Sequence, residues 1–188
     1  MPDLILSSRR LFEGWLDFLM LRLRLGDQEE ERPVIEHPSG SAVLPYDPAR
    51  RVALTVRQTR APVLYLNQPR FAEAVAGVGE DESAADTARR EAEEEVGVRL
   101  RDVERVGLVW ITPASSTERV HLFLAAYDGG DRVSEGGGAA GENERIDVRE
   151  EPLCALWADV ERGAMTDAKL LMLLQALRIR RPELFDSA

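Results

Sequence analysis

Residues 76–98 read AGVGEDESAADTARREAEEEVGV, and this stretch decides how the rest of the chain is interpreted. Ser83 is a favourable N-cap residue with an acidic residue three positions later, and Gly97 is a favourable stop, so we expect a helix over residues 84–96. At about 100° per residue, its small apolar residues form one stripe: Ala85, Ala88, Ala92 and Val96. The stripe predicts that the helix packs closely against another element.

The acidic residues of this helix fall on two sides. Glu91 and Glu95 lie about 40° apart beside the stripe, Glu94 lies about 60° further round, and Glu93 points to the other side. A solvated acidic face needs no cation, because two charges roughly 5 Å apart repel by only about 0.8 kcal/mol in water. Beside a cleft the repulsion grows, and Mg²⁺ then becomes the natural partner of carboxylate oxygens. The helix pattern alone leaves both interpretations open.

Composition narrows the class of protein. The chain has 188 residues, 44% hydrophobic and 31% charged, which is typical of one globular domain with an accessory segment. The net charge of −10 disfavours a nucleic acid or an anionic membrane as the main partner. The single Cys154 excludes an intrachain disulfide framework, and we see no signal peptide or long apolar run. We therefore expect a cytoplasmic protein.

An N-terminal arm is predicted ahead of the main domain. Residues 16–25 alternate as a long strand does, residues 4–6 fit a shorter strand, and the polar residues 26–32 predict a hairpin turn. We therefore divide the chain into an antiparallel β arm, residues 1–37, and a main domain, residues 38–188. Because a small hairpin is marginally stable alone, the arm must pack on the rest of the chain or on a second subunit.

The main domain is predicted to mix strands and helices. Strand patterns cover residues 42–44, 52–58, 103–111 and 120–127, and a last strand surrounds Val148. Pro152 at a first helical turn marks one later helix, and Thr166 is expected to cap another that carries a leucine stripe. The fold class is therefore α/β.

Residues 90–98, REAEEEVGV, resemble a known family motif. They are similar to the R-E-U-x-E-E-x-G-U half of the Nudix box, where U is an aliphatic residue. The fuller pattern places a Glu eight residues before the Arg, where Glu82 stands, and a Gly six residues before that Glu. Ala76 occupies this last position and Gly77 lies one residue closer, which indicates a loop shortened by one residue. The resemblance implies an α/β/α sandwich with a mixed sheet, to which the N-terminal arm is added.

Segments outside the box resemble the ADP-ribose and GDP-mannose pyrophosphatases of that family. Residues 56–60, VRQTR, look like their V-R-Q-x-R strand, and residues 73–77, EAVAG, look like the E-x-x-A-G segment that leads into the box. The glycines at 136–138, the sequence ENERIDV at 142–148 and MTDAK at 165–169 resemble segments of the GDP-mannose members. The resemblance implies hydrolysis of the pyrophosphate bond of a nucleoside diphosphate sugar to a nucleoside monophosphate and a sugar phosphate.

The same resemblance implies roles for particular residues. The ligands expected for Mg²⁺, or Mn²⁺ in its place, are the Ala76 carbonyl and the carboxylates of Glu91, Glu94 and Glu95. Glu144 is expected to be the base, and Glu95 is counted with it as catalytic. The expected substrate contacts are Arg57, Arg60, Glu73 and Lys169. A purely structural role stays open for Glu144, Arg57, Arg60 and Lys169. Arg90 is expected to fix the helix against the loop.

Competing functions and an assembly state follow from the same residues. A Nudix-type sensor that binds a nucleotide sugar without cleaving it is favoured by the shortened loop, but the full set of box glutamates disfavours it. An enzyme for nucleoside triphosphates or capped RNA is disfavoured by the arm, the VRQTR strand and the acidic charge. A homodimer is expected, because related pyrophosphatases build their substrate pocket across two subunits. The partner expected is a small-molecule nucleotide sugar.

Overall fold

The computed structural model describes residues 2–79, 81–138 and 145–186. The described residues divide into two compact units. The first contains the chain up to Ser39 together with Leu108–Val120, and the second contains Gly40–Gly107 and the chain from His121 onward. The candidate metal-binding residues all belong to the second unit.

The first unit is built on a three-stranded antiparallel sheet in the order β1-β2-β3. Its strands are Leu4–Phe12 (β1), Asp17–Leu25 (β2) and Gln28–Glu36 (β3), each nine residues long. The strand predicted over residues 16–25 is present as β2, and β1 extends well beyond the predicted residues 4–6. The predicted turn over residues 26–32 is wrong in extent, because β3 already begins at Gln28. The outer halves of β1 and β3 are rich in charged residues, which are compatible with a sheet whose faces are largely exposed, so hydrophobic alternation gives no signal for them.

A second, six-stranded sheet has the order β7-β8-β4-β5-β9, and β6 pairs with β4. The strands are Gly40–Asp47 (β4), Val52–Arg57 (β5), Val75–Val78 (β6), Glu104–Trp110 (β7), Arg119–Ala126 (β8) and Asp147–Pro152 (β9). Four helices accompany it in the described residues: Ala61–Tyr65 (α1), Ala84–Val96 (α2), Leu153–Glu161 (α3) and Ala168–Arg180 (α4). Every residue of β4 is buried, since α2 and α4 both contact it. The mixed α/β fold is therefore as predicted.

The helix predicted from the opening stretch is α2, with both ends as expected. The Ser83 hydroxyl accepts the Asp86 N–H at 3.2 Å, and Gly97 ends the helix with a φ of 70°. The stripe residues Ala88, Ala92 and Val96 are fully buried in a core cluster with Val43, Leu54, Val56 and Val75. Small side chains on this stripe let α2 approach the sheet closely, and that approach brings its acidic edge to β6.

The prediction that Thr166 caps the last long helix is wrong by one residue. Asp167 is the N-cap of α4, and its carboxylate accepts the N–H groups of Lys169 and Leu170. A carboxylate is a strong acceptor that also complements the positive end of a helix, so Asp167 displaces the neighbouring hydroxyl from this role. The leucine stripe behind the cap is buried, as expected: Leu170, Leu173, Leu174 and Leu177.

Two tryptophans lie outside the fully buried core. Trp110 is exposed and Trp157 is half-buried, although large aromatic side chains are usually expected to be highly buried. No helix among the described residues is long and apolar enough to cross a membrane.

Candidate metal and active site

Glu95 lies at the centre of the candidate site. Its side chain is buried, with 4% of the residue exposed, and its Oε2 accepts the Ala76 N–H at 3.2 Å. Ala76 stands opposite Ala42 in the antiparallel β4–β6 pair. In such a pair a residue turns its N–H and C=O to the same side, so the Ala76 carbonyl faces the side on which Glu95 lies. The predicted carbonyl and carboxylate ligands therefore meet at one strand edge.

Glu91, one helical turn before Glu95, lies against the next residue of β6. A Cβ built on Gly77 would stand 1.8 Å from Glu91 Oε1, so the carboxylate occupies the space that any side chain at position 77 would fill. Only 12% of the Glu91 side chain is exposed. The glycine is thus required for close approach of the helix edge to the strand. Consecutive β6 residues therefore each carry one carboxylate of α2 against them.

Arg90 connects this edge to the loop before the helix. Its guanidinium donates to Glu82 Oε1 at 3.0 Å, to the Val78 carbonyl at 3.1 Å and to Glu94 Oε2 at 2.7 Å, and Nη2 lies 2.9 Å from Glu91 Oε1. Burial by itself works to lower the Arg90 pKa, but the hydrogen bonds and charges of the three glutamates outweigh it, and the pKa lies above its ordinary value. Arg90 has the structural role that was predicted.

Glu93 confirms that the acidic run has two sides. Arg99 donates to both of its carboxylate oxygens, at 3.0 and 2.8 Å, on the face of α2 away from β6. The hydrogen bond from Arg99 is the main cause that lowers the Glu93 pKa. Glu93 is therefore satisfied by a surface partner, whereas Glu91 and Glu95 are held inside.

The donors at the β6 edge suit a hard divalent cation. They are carboxylate and carbonyl oxygens, the ligands that Mg²⁺ prefers when it also keeps several waters. Within residues 2–79, 81–138 and 145–186, no group of three or more His, Cys, Asp or Glu side chains is arranged to hold a metal. Glu94 is turned toward Arg90. Arg90 contacts Glu91 as well. The oxygen donors of Glu91, Glu95 and the Ala76 carbonyl would suit a partly hydrated ion, and the assignment of all four ligands stays a prediction.

The glycine triplet at 136–138 closes the C-terminal end of α2. Gly137 N–H donates to the Glu95 carbonyl at 2.9 Å, and Gly138 N–H donates to the Glu94 carbonyl at 3.1 Å. At Gly136 a Cβ would come within 2.4 Å of the Glu95 carbonyl oxygen, and φ is +72°. Carbonyls that the helix itself leaves unpaired are therefore satisfied by this segment. The sequence analysis assigned the triplet by its resemblance to the GDP-mannose members and predicted no contact with α2.

Glu144, the residue predicted to act as base, lies outside the described residues. The described chain resumes at Arg145, and β9 begins at Asp147. The role of Glu144 stays a prediction.

Each of the four predicted substrate contacts forms an ion pair within the chain. Arg57 lies 3.0 Å from Glu151, the guanidinium of Arg60 contacts the buried Glu73 at 3.0 Å, and Lys169 Nζ lies 2.8 Å from Asp167. Glu73 belongs to the same segment as Ala76, so it lies near the ligand strand. The buried Nε of Arg57 has no hydrogen-bond partner among the described residues. Their contacts with a substrate stay predictions.

The first unit has a cavity of its own, of about 520 Å³. Trp15 and His37 line it with their rings 5.5 Å apart and nearly perpendicular, and Arg119 and Thr117 complete one wall. Trp15 is 78% exposed, so its indole is not part of a core. The cavity combines an accessible aromatic face with polar groups.

Comparisons with known proteins agree on one family. A model of the NUDIX domain matches residues 36–172. The GDP-mannose pyrophosphatase of Pectobacterium atrosepticum is 35% identical over 187 residues, which cover 95% of this chain and 95% of that protein. The GDP-mannose pyrophosphatase of Cronobacter sakazakii is 36% identical over 152 residues, or 80% of this chain and 78% of that protein. A crystal structure of an ADP compounds hydrolase has the same fold, with a TM-score of 0.77 at 14% identity, and covers 97% of this chain and 96% of that one.

Proposed function

The chain belongs to the Nudix family of hydrolases, and from this premise we propose that it cleaves the pyrophosphate bond of a nucleoside diphosphate sugar, with GDP-mannose as the first candidate. The products are a nucleoside monophosphate and a sugar phosphate. The observation that carries the proposal is the placement of Glu91 and Glu95 against consecutive β6 residues, beside the Ala76 carbonyl. ADP-ribose is the alternative substrate of the same type.

The cofactor proposed is Mg²⁺, with Mn²⁺ as a substitute, since Nudix hydrolases generally use divalent metal ions. Glu91, Glu95 and the Ala76 carbonyl would hold it, and Glu94 is the further candidate ligand. When bound, such an ion neutralises the charge of the diphosphate and lowers the pKa of a water molecule. The Glu91 and Glu95 carboxylates are largely buried, so a nearby cation also offsets the cost of their burial.

Side chains of the protein then supply positioning, proton transfer and contacts with the phosphates. Arg90 holds the carboxylates of Glu82, Glu91 and Glu94 in place, which fixes the acidic edge of α2 before any ligand arrives. Glu144 is the proposed base that takes the proton of the attacking water, and the glycine segment that precedes it is bonded to the end of α2. Arg57 and Arg60 offer forked donors suited to phosphate oxygens.

The main competitor is a sensor that binds a nucleotide sugar without cleaving it. The shortened loop between Gly77 and Glu82 was the feature in its favour. Both residues at the ends of that loop nevertheless contact α2, Gly77 through Glu91 and Glu82 through Arg90. The shortening therefore does not detach the loop ends from the helix, and this supports the enzyme.

A homodimer is the assembly that we propose. All nine residues of β1 are exposed, and the apolar ones on β1 and β2 include Leu4, Ile5, Leu6, Leu11, Phe12, Phe18 and Leu25. An apolar surface of this extent is typical of a protein interface, and a second copy is the simplest partner. Light scattering on the purified chain is expected to give twice the mass of one chain. The mass of a single chain would contradict the dimer.

One assay tests the proposed reaction. The purified protein is incubated with Mg²⁺ or Mn²⁺ and with GDP-mannose, ADP-ribose, other nucleotide sugars and nucleoside triphosphates, and the phosphate products are identified. We expect the highest kcat/KM for GDP-mannose, with a nucleoside monophosphate and a sugar phosphate as products. Binding of nucleotide sugars without cleavage of any compound would favour the sensor. Preferred cleavage of triphosphates would overturn the substrate class.

A further inference from the structure

The outer edge of the strand that carries Ala76 is held by two buried carboxylates. Glu73 exchanges both of its backbone hydrogen bonds with Val56 inside the sheet, at 2.9 and 3.0 Å. The next N–H groups that point outward are those of Ala74 and Ala76. Ala76 donates to Glu95 at 3.2 Å, and Ala74 donates to Asp167 Oδ2 at 3.0 Å. Glu95 belongs to the candidate metal site, whereas Asp167 lies on a different helix.

The Asp167 carboxylate is itself fixed from several sides. The residue is 6% exposed, and it accepts the backbone N–H groups of Lys169 at 3.3 Å and Leu170 at 3.2 Å. Lys169 Nζ lies 2.8 Å from Asp167 Oδ1. The helix behind it is anchored by buried leucines. The position of the carboxylate is therefore fixed by the packing of α4, and Asp167 does not need Ala74 in order to cap that helix.

A cap alone does not explain the bond to Ala74, which is 93 residues away in sequence. This bond ties the strand to α4 two residues before the carbonyl that we place among the metal ligands. We infer that Asp167 is a positioning residue for the metal site, which acts through Ala74 by fixing where the Ala76 carbonyl and the Ala76 N–H lie relative to Glu95. The inference rests on the proposed function, and it leaves Asp167 itself out of contact with metal and substrate.

The test distinguishes the hydrogen bond between Asp167 and Ala74 from the capping of α4 by Asp167. Asp167→Ser keeps a good capping hydroxyl for α4, but its side chain is too short to reach Ala74. Asp167→Asn keeps an oxygen that can accept the N–H groups of both Ala74 and Leu170. Mn²⁺ affinity is measured for each variant without substrate, from the signal of free Mn²⁺ in electron paramagnetic resonance, and circular dichroism checks the fold. We expect about a tenfold loss of Mn²⁺ affinity in Asp167→Ser, as for residues that orient a ligand, and near-normal affinity in Asp167→Asn.

Lys169→Met is the matched control for Mn²⁺ binding without substrate; its activity is not compared, because Lys169 is also a predicted substrate contact. The substitution removes the ammonium partner of Asp167 and leaves the carboxylate and Ala74 in place, so we expect Mn²⁺ affinity within twofold of wild type. An equal loss in Lys169→Met and Asp167→Ser would overturn the inference, because the charge pair would then be responsible. Unchanged affinity in Asp167→Ser would also overturn it while leaving the proposed function intact. A wild-type protein that binds no Mn²⁺ would overturn the proposed function and this inference together.

A measurement on the wild-type protein covers the case in which Asp167→Ser does not fold. Coupling between two sites is reciprocal, so if the Ala74 bond to Asp167 favours metal binding, bound metal favours that bond by the same factor. We expect Mg²⁺ to slow hydrogen exchange of the Ala74 amide severalfold. An Ala74 exchange rate that does not respond to saturating Mg²⁺ would overturn the inference.

Discussion

The edge of β6 and the three-stranded arm are both rich in paired carboxylates, but the pairs differ in kind. In the arm, Glu29 accepts from Arg22 at 2.7 Å and from Arg24 at 3.1 Å, with 39% of its side chain exposed. At β6, Glu95 and Asp167 are almost fully buried and accept backbone N–H groups as well. Exposed pairs gain little because water competes for both partners. Buried carboxylates with backbone donors are fixed in space, so they set geometry.

The two kinds of carboxylate pair indicate where charge serves function in this chain. The acidic composition by itself points to no site, since many of the described acidic residues, such as Glu29 and Glu93, have a surface arginine as partner. At the candidate site, by contrast, Glu91 lies against Gly77, and Glu95 accepts the backbone N–H of Ala76.

The largest effect is expected for Glu95→Gln. The amide oxygen can still accept the Ala76 N–H, so the fold is retained, but the negative charge needed beside a cation is lost. We expect kcat to fall on the order of 10³-fold. Glu93→Gln is the matched control on the same helix, because Glu93 is paired with Arg99 on the other face. Steady-state kinetics with circular dichroism checks both, and comparable activities of the two variants would refute the metal assignment.

A smaller effect on activity is expected for Gly77→Ala. The new methyl group would occupy the place of the Glu91 carboxylate, which stands 1.8 Å from the Cβ position. A flexible side chain can move aside with little loss of stability, but a displacement of about 1 Å at a reacting site costs up to about 100-fold in rate. Gly107→Ala is the control, since no atom lies within 4 Å of the corresponding Cβ. If both variants keep full activity, Glu91 is not a ligand.

The partly buried Glu150 gives a prediction about how stability depends on pH. The hydrogen bond from Arg50 is the main cause that holds the Glu150 pKa below its ordinary value, and the Tyr127 hydroxyl also donates to this carboxylate. The stability from a lowered carboxyl pKa is present above the unfolded value, about 4.3, and is lost as the pH falls through the folded value. Urea unfolding of Glu150→Gln between pH 7 and pH 3 should therefore show a shallower loss of stability in acid than the wild type. Parallel curves would show that Glu150 behaves like an exposed pair.

The smallest effect is expected for Glu29→Gln in the arm. Its partners Arg22 and Arg24 are solvent-accessible, and exposed ion pairs contribute little to folding. We expect no resolvable change in the urea midpoint or in kcat/KM. A clear loss of activity would mean that the arm's charges take part in catalysis, and the contrast between the two regions would fail.

Sequence reasoning succeeded where local chemistry dominates. The limits of α2, its buried stripe and the separation of Glu93 from Glu91 and Glu95 all follow from the helical period and from two cap residues. The pattern also anticipated that Arg90 would fix the helix to its loop. These features depend on neighbours within about two turns, so one sequence contains them.

The failures concern contacts between distant segments. Thr166 and Asp167 are both good caps, and the choice of Asp167 is accompanied by its bond to Ala74, which no local pattern indicates. Similarly, nothing near the glycine triplet reveals that it meets the end of α2. Long-range hydrogen bonds of this kind depend on the packing of whole elements, and the arrangement of the candidate ligands around β6 depends on them.

The bonds from Gly137 and Gly138 to the last turn of α2 have a dynamic consequence. Fraying of that turn must release both glycine amides, so the helix end and the segment after it form one cooperative opening unit. The exchange protection of these two amides therefore measures how firmly residues 137 and 138 are held to the helix that carries Glu91 and Glu95.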